Sequence, residues 1–279
     1  MKQRILSYGE IIFDVVEGVP FLGGAPLNFA WFVNQLGGES TLASAVGSDD
    51  LGSQALLSIE SYGINGHIKF SGQPTGTAIV NSDGKFDIAH PAAWDQIDIP
   101  DLEDGVYDLL YMGTLAQMSS FNRERLAHLV QSLSVSVFLD LNLRHPFYSK
   151  EIIFDSLQMA NIVKVNLEEW QEIKNLTSIE DPFGFMDYFN LSHFAITMGY
   201  EGARLFFDGQ ELQYRPRKIT EVDPTGAGDA FSAGFAMGIL SAIPEINILK
   251  VGCEAGAAVA ANRGAHMKLP NFVRNQLLL

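Results

Sequence analysis

Val222-Asp-Pro-Thr-Gly-Ala-Gly-Asp-Ala-Phe-Ser-Ala-Gly-Phe235 is the stretch on which the fold turns. An extended Val222-Asp223-Pro224 leads into Thr225-Gly226-Ala227-Gly228, where two glycines permit a tight path and a close backbone approach to a ligand. Asp229 then stands where a helix begins. Ala230, Phe231, Ala233, Phe235, Met237, Ile239 and Leu240 leave that helix almost no polar face, so it is expected to be buried with its N-terminus aimed at a cavity. Unpaired amides and the positive end of the helix dipole suit such a terminus to phosphate. A carboxylate there would repel a phosphate that was merely held. It makes sense if a phosphoryl group passes through, with the backbone of Gly226, Ala227 and Gly228 taking its oxygens and Asp229 accepting a hydroxyl proton. The plainer reading of Asp229 is a helix cap.

The run Asp223 to Phe235 resembles the C-terminal signature of the ribokinase-like (PfkB) carbohydrate kinases, in wording nearest to the fructokinases. Further landmarks extend the likeness over nearly the whole chain. Gly23-Gly-Ala-Pro-Leu-Asn-Phe-Ala30 resembles the N-terminal sugar-binding signature, with Phe29, Phe32, Val33 and Leu36 at helical spacing behind it and Pro26 suited to a first turn. Val46 to Gly52 resembles VGxDxxG and opens a helix to Tyr62. Asp140-Leu-Asn-Leu-Arg144 resembles DxNxR, Lys164 to Glu169 the NxxE motif, and Thr197-Met-Gly-Tyr-Glu-Gly202 the TxGxxG turn.

The resemblance implies roles. Asp14, Gly24 and Asn28 would bind sugar hydroxyls, with Trp94 either against a sugar face or packed in a hinge, while Asn142 and Arg144 would face the phosphates or the acceptor. Lys164, Thr197, Gly199, Gly202, Thr225, Gly226, Gly228 and Asn262 would lie along ATP. Asn166 and Glu169 would organise Mg2+ and its waters, and Asp223 with Thr225 would form a K+ loop of the kind some relatives have. Glu168 and Glu169 read equally well as acids at a helix N-terminus, and Arg144 as half of a loop salt bridge.

The chain has 279 residues, enough for one large core, with 18 Lys and Arg against 33 Asp and Glu for a net charge of −15. That balance argues against nucleic acid or an anionic membrane as partner, and leaves any phosphate site to local amides, a few cations and a metal. Cys253 is the sole cysteine and sits among small apolar residues, so no disulfide forms within the chain and a reducing cytoplasm suits it. The six histidines show no metal-ligand spacing. Glu10 and Asp14 interrupt what would be a signal-peptide core, and no apolar run approaches a membrane span.

Arg4 to Phe13 reads as a first strand ended near Asp14, with no GxGxxG behind it, which disfavours a nicotinamide oxidoreductase. Thr77 to Asn81 and Lys85 to Ala89 flank the turn Ser82-Asp83-Gly84; with residues 14–22, the segment 68–95 is expected to form a small β-sheet lid, whose flat edge could pair two copies into a homodimer. Strands near 109–112, 135–142, 162–166 and 194–198 alternate with helices near 122–133, 152–160, 168–174 and 181–189. The expectation is a single α/β domain, a doubly wound and mostly parallel sheet flanked by helices, with the lid attached. The function expected is ATP-dependent transfer of a γ-phosphoryl group to a primary hydroxyl, most nearly that of a fructokinase. Ribose or 2-keto-3-deoxygluconate as acceptor, or a silent sugar or nucleotide sensor, are the alternatives.

Overall fold

The computed structural model of the protein describes residues 2–80 and 86–278. From the N-terminus run β1 (Arg4–Tyr8), β2 (Ile12–Val16), β3 (Val19–Gly23), α1 (Ala25–Gln35), β4 (Glu39–Gly47), α2 (Asp50–Ser61), β5 (Asn65–Ser71), β6 (Gly76–Val80) and β7 (Phe86–Ile88). The middle alternates: β8 (Leu109–Met112), α3 (Ser120–Ser132), β9 (Ser136–Asp140), α4 (Lys150–Met159), β10 (Ile162–Asn166), α5 (Leu167–Thr177), α6 (Pro182–Phe189) and β11 (His193–Thr197). A hairpin of β12 (Ala203–Phe207) and β13 (Gln210–Tyr214) precedes α7 (Ala227–Leu240), α8 (Glu245–Ala260) and α9 (Asn271–Asn275).

Among the described residues two sheets form. The larger has the order β13-β12-β11-β10-β9-β8-β1-β4-β5, parallel from β11 to β5 with the β12–β13 hairpin antiparallel at one edge. Its central strands are apolar on both faces because both are covered. Alternation sorts the layers: Ile5, Leu109 and Phe138 pack with α1, α7 and α8, while their neighbours Leu6, Leu110 and Leu139 pack with α3 to α6 on the other face. This is the doubly wound architecture expected, and no helix among the described residues is long and apolar enough to cross a membrane.

The smaller sheet, β3-β2-β6-β7, corrects one expectation about the first strand. Arg4 to Phe13 is two strands, not one: β1 lies in the main sheet, the chain leaves it at Gly9 to Ile11, and β2 begins the small sheet. An unbroken apolar run carries no mark of a change of sheet. Asp14 is therefore in the middle of a small-sheet strand, paired with Phe21 and Ala78, rather than at the end of a main-sheet strand. Residues 68–71, expected in the lid, belong to β5 at the edge of the main sheet. The turn expected at Ser82-Asp83-Gly84 lies outside the described residues, although β6 and β7 on either side of it pair antiparallel.

Asp49 ties the two sheets together. It caps α2 by accepting the Gly52 amide at 2.8 Å, and it also accepts the Thr75 amide at 2.8 Å and the Thr75 hydroxyl at 2.7 Å, just where the chain enters β6.

Candidate active site

The anchor of the site is the start of α7. Gly226 is its N-cap, with φ 80° in the left-handed region and its Cα so close to the Ala265 loop that a Cβ would lie 2.8 Å from Ala265 Cβ. Only glycine fits both demands. No side chain caps this helix, so its first-turn amides keep their donor capacity where Gly228 is exposed. Asp229 is in the first turn itself and does not cap it: its Oδ2 accepts a 2.8 Å hydrogen bond from Asn28 Nδ2 on α1. The cap reading is thereby corrected.

Asp229 has a charged neighbourhood. Burial pushes its carboxyl up to about 6, the charge of Asp140 adds to the rise, and Asn28, Lys164 and Arg144 hold it back. Asp140, at the carboxyl end of β9, is buried and forms an ion pair with Lys164 of β10 at 3.0 Å; Ser232 of α7 donates to it at 2.7 Å. Burial would lower the Lys164 ammonium, but Asp140 and Glu169 outweigh it and raise it. Lys164 Nζ lies 3.3 Å from where a Cβ on Gly228 would be. The cation thus stands beside the helix N-terminus, in the position the resemblance implies for phosphate.

The residues expected on the sugar side come from the small sheet and from the start of α1. Burial raises Asp14 to about 6 and Arg144 opposes the rise, so Asp14, Asp229 and Arg144 share one electrostatic environment. Gly24, with φ 110°, brings the backbone against the Glu10 carbonyl oxygen, leaving no room for a side chain. Asn28 is buried, and its Oδ1 has no hydrogen-bond partner among the described residues while its Nδ2 holds Asp229. An unpaired buried acceptor beside a carboxylate fits a hydroxyl ligand.

Trp94 does not join them. It is fully buried, packed where a Cβ on Gly76 would be 2.6 Å from its ring, and its carbonyl accepts from Asn122 Nδ2. The aromatic beside Asp14 is its cross-strand neighbour Phe21, 55% exposed. A sugar-facing role for Trp94 is corrected to packing at the base of the small sheet.

Glu169 is buried with both oxygens engaged. Oε2 accepts the Asn166 amide at 2.8 Å, Asn166 Oδ1 accepts the Glu169 amide at 2.9 Å, and Oε1 accepts the Leu143 amide at 2.9 Å. This reciprocal capping box starts α5. Next to Leu143, Asn142 is held at φ 43°, a conformation Asn tolerates better than most residues, and the loop carries Arg144 back toward Asp14. Asp223 accepts the amides of Thr225 at 3.0 Å and Gly264 at 2.9 Å. Burial opposes, but the Thr225 and Gly264 hydrogen bonds and Arg263 hold its carboxyl below the usual range. Thr197 donates to the Val165 carbonyl, Gly199 and Gly202 take positive φ in the turn before β12, and Asn262 donates to Ala258 as α8 ends.

No group of three or more His, Cys, Asp or Glu suited to a metal ion occurs among the described residues. Sequence reasoning passed over Glu10, Asp140, Ser232 and Tyr111. Asp140 stood in a quoted motif at a strand's carboxyl end, which was the available signal; Glu10 carried none beyond being a carboxylate in an apolar run. Two clefts of about 450 and 340 Å3 flank β5, sharing Gly66 and His67 and reaching Arg4 and Glu39 at the amino ends of β1 and β4. They lie at the opposite end of the sheet from Asp229.

The profile described as pfkB family carbohydrate kinase matches residues 2–271. Fructokinase of Escherichia coli is 26% identical over 97% of this chain and 97% of its own. Fructokinase from Vibrio cholerae O395, solved with fructose, ADP and a calcium ion, superposes with a TM-score of 0.89 at 23% identity, covering 99% of both chains. A double mutant of the same enzyme with fructose, ADP and a potassium ion gives 0.89 at 22% identity over 99% of this chain and 98% of that one. Aminoimidazole riboside kinase from Salmonella enterica, complexed with aminoimidazole riboside and an ATP analog, gives 0.84 at 22% identity, covering 99% of this chain and all of that one. The family match runs over nearly the whole length of the sequence, and the chain belongs to the pfkB family of carbohydrate kinases.

Proposed function

We propose that this carbohydrate kinase transfers the γ-phosphoryl group of ATP to a primary hydroxyl of a neutral sugar, with fructose as the favoured acceptor. The observation that carries the reading is the Asp229 carboxylate, held by Asn28 in the uncapped first turn of α7. The sugar binds between the small sheet and α1, with Asp14 and Asn28 taking its hydroxyls. Asp229 accepts the proton of the attacking hydroxyl as its oxygen bonds to the γ-phosphorus and the bond to ADP breaks; the proton then leaves Asp229 for solvent. Lys164 and the amides of Gly226, Ala227 and Gly228 stabilise charge on the transferring group.

A divalent ion such as Mg2+, when bound, neutralises phosphate charge. Because both Glu169 oxygens already accept backbone amides, Glu169 and Asn166 fit such an ion through its water shell rather than as direct ligands. Asp223 and Thr225 are the candidates for a monovalent-cation loop, although both Asp223 oxygens here accept the amides of Thr225 and Gly264.

Electrostatics favours a neutral acceptor. Among the described residues, Lys164 and Arg144 are the cations that act on the cluster of Glu10, Asp14, Asp140, Glu169 and Asp229. A sugar acid would add another negative charge to that imbalance. Fructose is the acceptor named for several relatives of this chain, and the riboside bound by the Salmonella enterica relative supports a ribose-type acceptor as second reading. ATP turnover against a panel of free sugars, ribosides and sugar acids tests both. Fructose should give the highest kcat/KM; a preferred sugar acid would overturn the neutral-acceptor reading, and turnover with none would leave a sensor.

A further inference from the structure

Glu10 lies outside every motif that identifies the family site. It is 4% exposed, in the link between β1 and β2 where the chain leaves the main sheet for the small one. The helix it faces has no cap of its own, since Gly24 at the N-cap offers no side chain. The Ala25 amide at the first residue of α1, together with Glu10's own amide, acts on the Glu10 carboxyl and favours its ionised form. Its carbonyl oxygen occupies the space a Gly24 side chain would need. Glu10 therefore abuts the first turn of α1, its carbonyl against Gly24 and its carboxyl under the influence of the Ala25 amide, and that turn delivers Asn28 to Asp229. Arg144 is a second link, because its charge acts on Glu10, Asp14 and Asp229 alike.

We propose that Glu10 is a positioning residue for phosphoryl transfer: its carboxylate fixes the first turn of α1 and the place of Arg144, and through them the orientation and electrostatic surroundings of Asp229. The proposal rests on Asp229 being the proton acceptor.

The charged and titratable groups facing this pair are Arg144 from the loop after β9, Asp14 on β2, Asp140 on β9, Lys164 on β10 and Tyr111 on β8. Burial pushes Glu10 up to about 7, the charge of Asp229 adds to the rise, and Arg144 and the two amides oppose it; Asp229 stands at about 6. The two carboxyls, both raised, titrate as a coupled pair that loses two protons in this range. The second ionisation places a negative charge near an ionised base, making that base stronger, and gives Arg144 a carboxylate to hold. Turnover should accordingly rise with pH through two proton losses.

The test is kcat at saturating sugar and ATP from pH 5 to 9, with ATP affinity and melting temperature, for wild type, Glu10→Gln, Glu10→Ala and Asp229→Asn. Glu10→Gln keeps the size and an acceptor oxygen, so it should bind ATP as wild type does, melt within a few degrees of it, lose about tenfold in kcat at pH 8 and retain only the lower ionisation. Glu10→Ala should show the same single ionisation with a lower melting temperature. A Glu10→Gln enzyme that keeps both steps, or stays within twofold of wild-type kcat at pH 8, overturns the proposal alone. Absence of wild-type turnover with every sugar overturns the parent reading and this one with it.

Discussion

Asn28 and Asp229, 201 positions apart in sequence, meet in a 2.8 Å hydrogen bond in which the Asn28 amide donates to Asp229 Oδ2. The bond joins the first turns of two helices, α1 and α7, and so links the proposed sugar side of the site to the proposed phosphate side. It also favours the ionised form of Asp229.

Asn28→Ala removes that donor. The Asp229 carboxyl should then rise further above about 6, and the acid limb of the kcat profile should move to higher pH by about one unit, the worth of a hydrogen bond to a charged group. The sugar KM should rise while ATP affinity holds. A limb that stays in place or moves to lower pH contradicts the assignment of this bond.

Asp229→Asn retains the shape of the carboxylate and removes the proton acceptor. We expect kcat to fall by roughly 10²–10⁴-fold with fold and ATP binding intact, because the residue caps nothing. Isothermal titration with ATP and steady-state kinetics on one preparation decide it; turnover within a few fold of wild type would end the role of Asp229 as base.

The two glycines should respond differently. Gly226→Ala forces a side chain into a left-handed conformation against Ala265 and should cost stability by about 1–3 kcal/mol, seen as a lower melting temperature. Gly228→Ala meets only the flexible end of Lys164, so stability should change little while phosphoryl transfer suffers. Equal melting losses in the two variants would refute this division.

Lys164→Met leaves Asp140 buried without its cation and should destabilise by about 3–5 kcal/mol. Adding Asp140→Asn should restore much of the loss without restoring activity. Urea unfolding of the single and double variants measures it, and additive losses would show that the pair is not coupled.

Glu10, Asp14 and Asp229 all have folded carboxyls raised, to about 7, 6 and 6, above ordinary values of 4.5, 3.8 and 3.8. A raised acid stabilises the fold fully below its unfolded value and loses that contribution as pH climbs through the folded one. The ligand-free protein should therefore lose melting temperature between about pH 4 and 7, and Glu10→Gln should flatten the upper part of that decline. A melting temperature that climbs through this window would show that these carboxyls are not raised.

Element types were legible because period-2 and period-3.6 patterns are local: β8 and β10 fall where the apolar runs put them, and α5 and α6 begin within a residue of the helices expected near 168–174 and 181–189. The glycine turn and Asp229 were legible because φ, helix start and chemistry coincide within a few residues. The split of Arg4 to Phe13 was not, since membership of a sheet depends on partners such as Ala43 and Ala78 far along the chain. The burial of Trp94 was hidden for the same reason: it is set by Gly76 and Asn122, which are distant in sequence. Glu10 and Asp140 were hidden because their partners come from α1, α7 and β10.

The single carboxylate of Glu169 grips the backbone after β9 through Leu143 and the backbone after β10 through Asn166. Two loops that share one clasp cannot travel separately, so the floor that carries Arg144 behaves as a rigid plate. We propose that opening and closing around a substrate falls to the small sheet, whose Asp14 feels the charge of Arg144 on that plate, and that sugar arrival registers first in the strands around Asp14.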